Sequence, residues 1–272
     1  MKATYRLLMA DKWMVGLLLA GTLAAVATMA VIMVPAWYFG HVTPFAPSGG
    51  LAGYGVFVGA MWAASFVAIF VTGAVVAAAM IRADGAVPTM RAALSVAWSR
   101  RWQLAAWALV STILGLVLSV LQRFGVAGLI VRAVAGIGWA AATLFAIPLI
   151  ITEGTMPVAT LRRSAGMVRQ NLGGVVRSQV RLAAPWVAAM IVSVLLTLYG
   201  LLGVVIAVAT HDPGSALFVG AVAAIGVTAL MFTGATSAAL SAYLNAVLFR
   251  HITGKPVPGI GSADLPPLPS AT

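Results

Sequence analysis

The side chains able to do chemistry are few in this chain, and their positions restrict what they could do. Three histidines (His41, His211, His251), five carboxylates (Asp11, Asp84, Glu153, Asp212, Asp264) and no cysteine make up its whole supply of imidazole, carboxylate and thiol groups. His41 and His211 lie in separate short connections on one side of the apolar segments, and His251 lies on the other. No triad of them can form, and a metal shared by His41 with His211-Asp212 competes with two plainly solvated loop histidines. No His-Glu-x-x-His, phosphate-loop or dinucleotide-binding signature occurs. A hydrolase working inside a membrane needs a nucleophile with a base, or paired carboxylates, at depth. All five carboxylates fall in loops or ends, which also weighs against a proton- or sodium-coupled pump. An enzyme would have to gather Asp84, Glu153 and a nucleophile on one face. The expectation is no enzyme, no cofactor and no metal.

Uncharged polar residues are the next candidates. Thr233, Ser237, Ser241 and Asn245 recur every fourth residue, as do Ser111, Gly115 and Ser119. Such stripes let membrane helices approach and hydrogen-bond. Alternatively, Ser111, Ser237, Ser241 and Asn245 line a polar path. Gly55 and Gly59 form a Gly-x-x-x-Gly step expected to pack within the molecule.

What positions these residues is an apolar frame. Of 272 residues, 62% are hydrophobic and 8% charged, against roughly 25% charged in soluble domains. Only a bilayer accommodates so little charge. Six windows are long enough to span one, at residues 14–39, 54–81, 103–121, 134–152, 184–207 and 216–248. The first is too long for the hydrophobic region of a cleaved signal, so a retained anchor is expected. Placing alternate connections on alternate sides puts 14 of the 16 Lys and Arg on one side and leaves Arg123 and Arg132 on the other. By the positive-inside rule the rich side is cytoplasmic, with both termini there. Trp13, Trp98 and Trp102 fall near that inner boundary and Trp37, Tyr38 and Tyr54 near the outer one. Arg132 reads as an anchor that snorkels to the outer interface. Pro148 is expected to kink span four near its inner third. Residues 1–254 form one domain, and the Pro-rich tail 255–272 reads as disordered. Arg over Lys, 13 to 3, with abundant Ala and Val, hints at a GC-rich bacterial genome.

The two larger inner connections look like copies. Asp84-Gly-Ala-Val-Pro88 ends span two and Glu153-Gly-Thr-Met-Pro157 ends span four; Ser95 then matches Ser164, and Arg100 matches Arg169. Each acid and glycine stop a helix, and each proline is suited to the first turn of the next. The second new helix places Val158, Leu161, Ala165, Val168 and Leu172 on one face and Arg162, Arg163, Arg169 and Gln170 on another. The first carries an apolar stripe of Met90, Leu94, Ala97 and Trp98. Arg250-His-Ile-Thr-Gly254 weakly echoes the design.

The Asp84-Gly to Pro88 loop, Trp139, Ala146-Ile-Pro148, Glu153-Gly154, the Ala159-Thr-Leu-Arg-Arg-Ser164 run and the close at 243–254 together resemble a family of uncharacterised prokaryotic six-span membrane proteins. The 159–164 run is more loosely similar to membrane domains fused to some glycerophosphodiester phosphodiesterases. The resemblance implies the topology and the repeat, and no activity.

The sequence therefore predicts an all-α polytopic bundle of six spans in three hairpins, with amphipathic cytoplasmic interfacial helices after spans two and four. It would be a multi-pass protein of the prokaryotic plasma membrane. Its basic face (Arg91, Arg100, Arg101, Arg162, Arg163, Arg169) would bind anionic lipid or a cytosolic or membrane protein partner, and no nucleic acid. The alternative is a channel or permease for a small or lipidic solute.

Overall fold

The computed structural model describes residues 13–39, 50–121, 124–170, 172–210 and 213–254. They form helices α1 (Trp13–Tyr38), α2 (Gly50–Ala83), α3 (Met90–Ser99), α4 (Arg101–Leu121), α5 (Gly125–Ala142), α6 (Ala146–Glu153), α7 (Pro157–Gln170), α8 (Leu172–Ala209) and α9 (Pro213–Ile252), with no strand among the described residues. Six stretches are long and apolar enough to cross a membrane: Trp13–Tyr38, Gly50–Ala83, Arg101–Leu121, Gly125–Glu153, Trp186–Ala207 and Leu217–Ile252. The fold is thus the expected all-α six-span bundle, with short helices α3 and α7 after spans two and four. Helices α2, α8 and α9, of 34, 38 and 40 residues, exceed the roughly 20 residues a bilayer needs. Each tilts or runs beyond the hydrocarbon layer. Residues 1–12, 40–49 and 255–272, which carry His41, Asp11, Asp264 and the expected tail, lie outside the described residues. So do Arg123, His211 and Asp212.

Helix α2 is the hub, packing on α1, α3, α4, α6 and α9. The buried core gathers at one end of the bundle. It joins Met14, Leu17 and Leu18 of α1, the 74–80 stretch of α2, Ala93 and Ala97 of α3 and Leu104 and Trp107 of α4. Leu149 and Ile150 of α6 and Tyr243, Val247 and Leu248 of α9 complete it. That end, the basic end of the bundle, also carries α3 and α7 and their arginines.

Close backbone approach occurs where small residues meet. A Cβ on Gly21 would overlap Val71 at 2.7 Å, and one on Gly226 would lie 2.6 Å from the Thr197 backbone. Without water to drive helices together, such close packing is the main attraction. Gly55 and Gly59, expected to pack internally, have open space at the Cβ position; the tight α1–α2 contact uses Gly21 instead. In α9 the deeply buried stripe is Ala235, Ala239, Ala242 and Ala246. The Thr233, Ser237, Ser241 and Asn245 stripe beside it is only half-buried.

Span four is broken rather than simply kinked. Helix α5 ends at Ala142, and α6 restarts at Ala146 with Pro148 in its first turn. A proline inside a helix removes one hydrogen bond and clashes with the carbonyl four residues earlier. The break falls ahead of Pro148 and so avoids both. It exposes the Phe145 N–H, which donates to the Ser164 hydroxyl of α7 at 3.1 Å in a buried position. The Thr143 hydroxyl donates to the Trp139 carbonyl at 2.8 Å.

The repeat holds in layout and fails in register. Gly85 and Gly154 both adopt positive φ, at 86° and 67°, and so does Gly254 at 72°, a conformation that costs glycine least. At the end of α2, Ala86 N–H bonds Ile81 O while Gly85 N–H bonds Arg82 O, the doubly bonded glycine cap. At the end of α6, Gly154 N–H bonds Ile150 O at 2.9 Å. The next helix begins at Pro157 in one copy, as expected. In the other it begins at Met90, with Thr89 accepting from Ala92 N–H as the N-cap. Pro88 therefore stands before the cap, and the first copy is two residues longer between glycine and helix. Ser95 is consequently exposed while Ser164 is buried. The positions that face inward together are Ala93 and Ala97 in α3, and Thr160 and Ser164 in α7.

Candidate functional site

Two ion pairs brace the basic end. Arg250 of α9 bonds Asp84 at the end of α2, joining residues far apart in sequence. Arg163 of α7 bonds Glu153 of α6 at 2.7 Å. The Arg100 guanidinium, in the corner between α3 and α4, rests so closely on Gly154 that a Cβ there would collide with it. That puts a cation at the C-terminal end of α6, where the helix dipole favours it. Both described carboxylates are thus matched by arginines.

The six candidate arginines divide into two groups. Arg91, Arg162 and Arg169 are exposed, and among the described residues none pairs with a carboxylate. Arg163 is exposed and paired, and Arg100 is half-buried on Gly154. Arg101 lies over two indoles, 5.3 Å from the Trp98 ring centre and 5.5 Å from that of Trp102. Its Nη1 donates to the Trp98 carbonyl at 3.2 Å.

The apolar faces expected for the two short helices are divided between core and surface. Helix α7 buries Thr160, Ser164 and Val168, leaving Val158 75% exposed. Thr160 meets the Thr155 hydroxyl at 2.7 Å and donates to the Met156 carbonyl at 2.9 Å. Its inward face is therefore held by hydroxyls. The outward face mixes Val158 with Arg162 one turn away, a pairing that helical spacing allows. Leu161 and Ala165 are half-buried, and the Leu172 side chain lies outside the described ones. Helix α3 buries Ala93 and Ala97, and leaves Met90 and Trp98 exposed. Trp98 and Trp102 are 59% and 72% exposed. Together they present on the order of 300 Å² of indole, costing several kcal/mol in water at about 25 cal/mol per Å². A headgroup layer removes that cost, because indole is amphipathic.

The candidate polar path is less gathered. Ser111 is half-buried on α4, while Ser237, Ser241 and Asn245 are half-buried on α9. Helices α4 and α9 share no extensive contact, each packing on α2 and α6. Beside Ser111, Thr112 is 4% exposed and its hydroxyl has no partner among the described residues. Most other helical threonines, such as Thr72 and Thr236, donate to the carbonyl four residues back. Arg132 sits in the second turn of α5, half-buried and with contacts of its own. Among the described residues no cluster of three metal-ligating side chains occurs.

Sequence reading missed the Arg250–Asp84 pair, the Ser164–Phe145 bond and the Arg101–indole contacts. Only the last had a local signal, since Arg101 and Trp102 stand three and four residues after Trp98.

Neither curated proteins nor solved structures yield a match to the chain. A family model described as a family of unknown function (DUF6159) matches residues 51–256, from the start of span two to just past span six. This integral, multi-pass membrane protein therefore belongs to that family of unknown function.

Proposed function

We propose that this is a non-enzymatic plasma-membrane protein of prokaryotes, with both termini in the cytoplasm, whose basic end engages anionic lipid headgroups. The observation carrying this reading is the outward face of α7. Arg162 and Arg169 stand exposed beside exposed Val158, unmatched by any carboxylate among the described residues, while the inward face is held by the hydroxyls of Thr160 and Ser164. A helix offering both cations and apolar side chains outward suits the boundary between headgroups and acyl chains. Each arginine near an anionic surface contributes about 1 kcal/mol. The orientation follows from the unequal distribution of Lys and Arg. The other occupant the same basic face suits is a protein partner.

The test is lipid preference. The purified protein is exchanged into detergent mixed with phosphatidylglycerol or phosphatidylcholine, and co-purifying lipid is quantified. Enrichment of the anionic lipid that falls in the Arg162→Gln/Arg163→Gln/Arg169→Gln variant supports the reading. Equal retention of both lipids by the parent protein removes it.

A permease is the second reading, and Thr112 is the observation on its side: a buried hydroxyl without a partner is costly unless something polar meets it. Its weakness is that the half-buried hydroxyls sit on α4 and α9, which do not pack extensively on each other. Solute flux through proteoliposomes that is abolished by Thr112→Val would favour it.

A further inference from the structure

The corner between α3 and α4 is built differently from the arginine face of α7. Helix α3 ends at Ser99, Arg100 turns the chain, and α4 starts at Arg101. The Arg101 guanidinium lies over the rings of both Trp98 and Trp102. Trp98 is held from behind: Phe70 meets it edge-on at 6.1 Å and 87°. Phe70 continues a ladder through Phe66 to Trp62 along α2, with ring centres 6.0 and 6.4 Å apart. The ladder is tied to α4, because the Trp62 indole N–H donates to the Ala105 carbonyl at 3.1 Å. The clamp is therefore fixed to the bundle by two helices, although both indoles remain largely exposed.

Three features of this corner favour a lipid phosphate. The guanidinium uses Nη1 on a backbone carbonyl, and a guanidinium carries five N–H donors, so donors remain for a planar, two-point contact with an oxyanion. Arg101 pairs with no carboxylate among the described residues, because Asp84 and Glu153 are engaged by Arg250 and Arg163. Finally, exposed indoles at the end of α3 and on the first turn of span three match the carbonyl and headgroup layer, where one end of the ring is wet and the other apolar.

We propose that Trp98, Arg101 and Trp102 form a site for the phosphate of an anionic phospholipid, with the indoles in the glycerol and carbonyl layer and the guanidinium against the phosphate. This deepens the lipid-binding reading and rests on it, but the site is separate from α7.

The full-length protein in mild detergent, titrated with phosphatidylglycerol against phosphatidylcholine, tests this by native mass spectrometry of the bound lipids. Arg101→Gln is expected to lower the preference for the anionic lipid about fivefold, the factor that one arginine near such a surface represents. Trp98→Leu/Trp102→Leu, which keeps apolar bulk but removes the clamp, is expected to lower it at least twofold. Thermal melting of each variant checks folding, and Arg101→Lys serves if Arg101→Gln does not fold, with a twofold loss expected. Unchanged preference in Arg101→Gln, or in the folded double tryptophan variant, overturns the site. If the α7 triple variant loses preference while Arg101→Gln does not, the site fails and the broader reading stands. If neither loses it, both fail.

Discussion

The two ends of this bundle are held together by different means. At the basic end, α1, α2, α3, α4, α6 and α9 contribute to one continuous core, and ion pairs and hydroxyl bonds cross between elements. At the opposite end the helices present mostly lipid-facing side chains. There α5 buries only Gly128, and α8 packs on α9 through glycine contacts at Gly200, Gly203 and Gly226. Lipid tails are as apolar as leucine, so a helix at that end gains little by turning a leucine inward. At the basic end, backbone groups freed by turns and breaks must be satisfied. That requirement, more than hydrophobicity, concentrates specific structure where the chain leaves the membrane.

Substitutions can break or sharpen this contrast, with unfolding in mixed detergent as the measurement. The largest difference is expected from Leu149→Ala, fully buried in α6, at about 2–5 kcal/mol of destabilisation. Ile137→Ala in α5, 71% exposed, should change stability by less than about 0.5 kcal/mol. Equal effects would erase the distinction between the two ends. Gly154→Ala forces a side chain into positive φ and against Arg100, with an expected loss of about 1–3 kcal/mol. By contrast, Gly136→Ala meets open space and should be neutral or stabilising by up to about 1 kcal/mol.

Hydrogen bonding gives a finer comparison. Ser164→Ala strips the partner from the buried Phe145 N–H and should cost about 1–3 kcal/mol. Thr112→Val replaces a buried hydroxyl with no partner among the described residues by an isosteric methyl, and should stabilise by about 1 kcal/mol. A loss on Thr112→Val would mean that the hydroxyl has a partner in the membrane-embedded protein. The smallest effect belongs to Arg163→Gln: its ion pair with Glu153 is exposed on the arginine side, so at most about 1 kcal/mol is expected.

The spans were legible because a run of apolar residues is a one-dimensional signal. The windows at 14–39 and 103–121 lie within two residues of α1 and α4 at each end. The turns were legible as well, since Gly85 and Gly154 advertise positive φ through residue type. Facing was not. Periodicity placed Val158 with Val168, and Trp98 with Ala97, on single apolar faces; Val168 and Ala97 are buried, Val158 and Trp98 are exposed, and Thr160 and Ser164 turn in. The rule that apolar faces point inward assumes water outside; beside lipid an apolar residue is content outward, and a hydroxyl is useful wherever a helix break leaves an N–H to satisfy. For the same reason Gly55 and Gly59 matched a packing motif yet meet nothing.

Composition and residue order alone determined that this chain is a six-span membrane bundle with one strongly basic end, because both follow from sums along the chain. Tertiary structure decided which arginines are committed to Glu153, Asp84, Gly154 and two indoles, and which remain outward. Those pairings join residues up to 166 positions apart, a separation over which local patterning carries no information and only packing of the helices sets the distance.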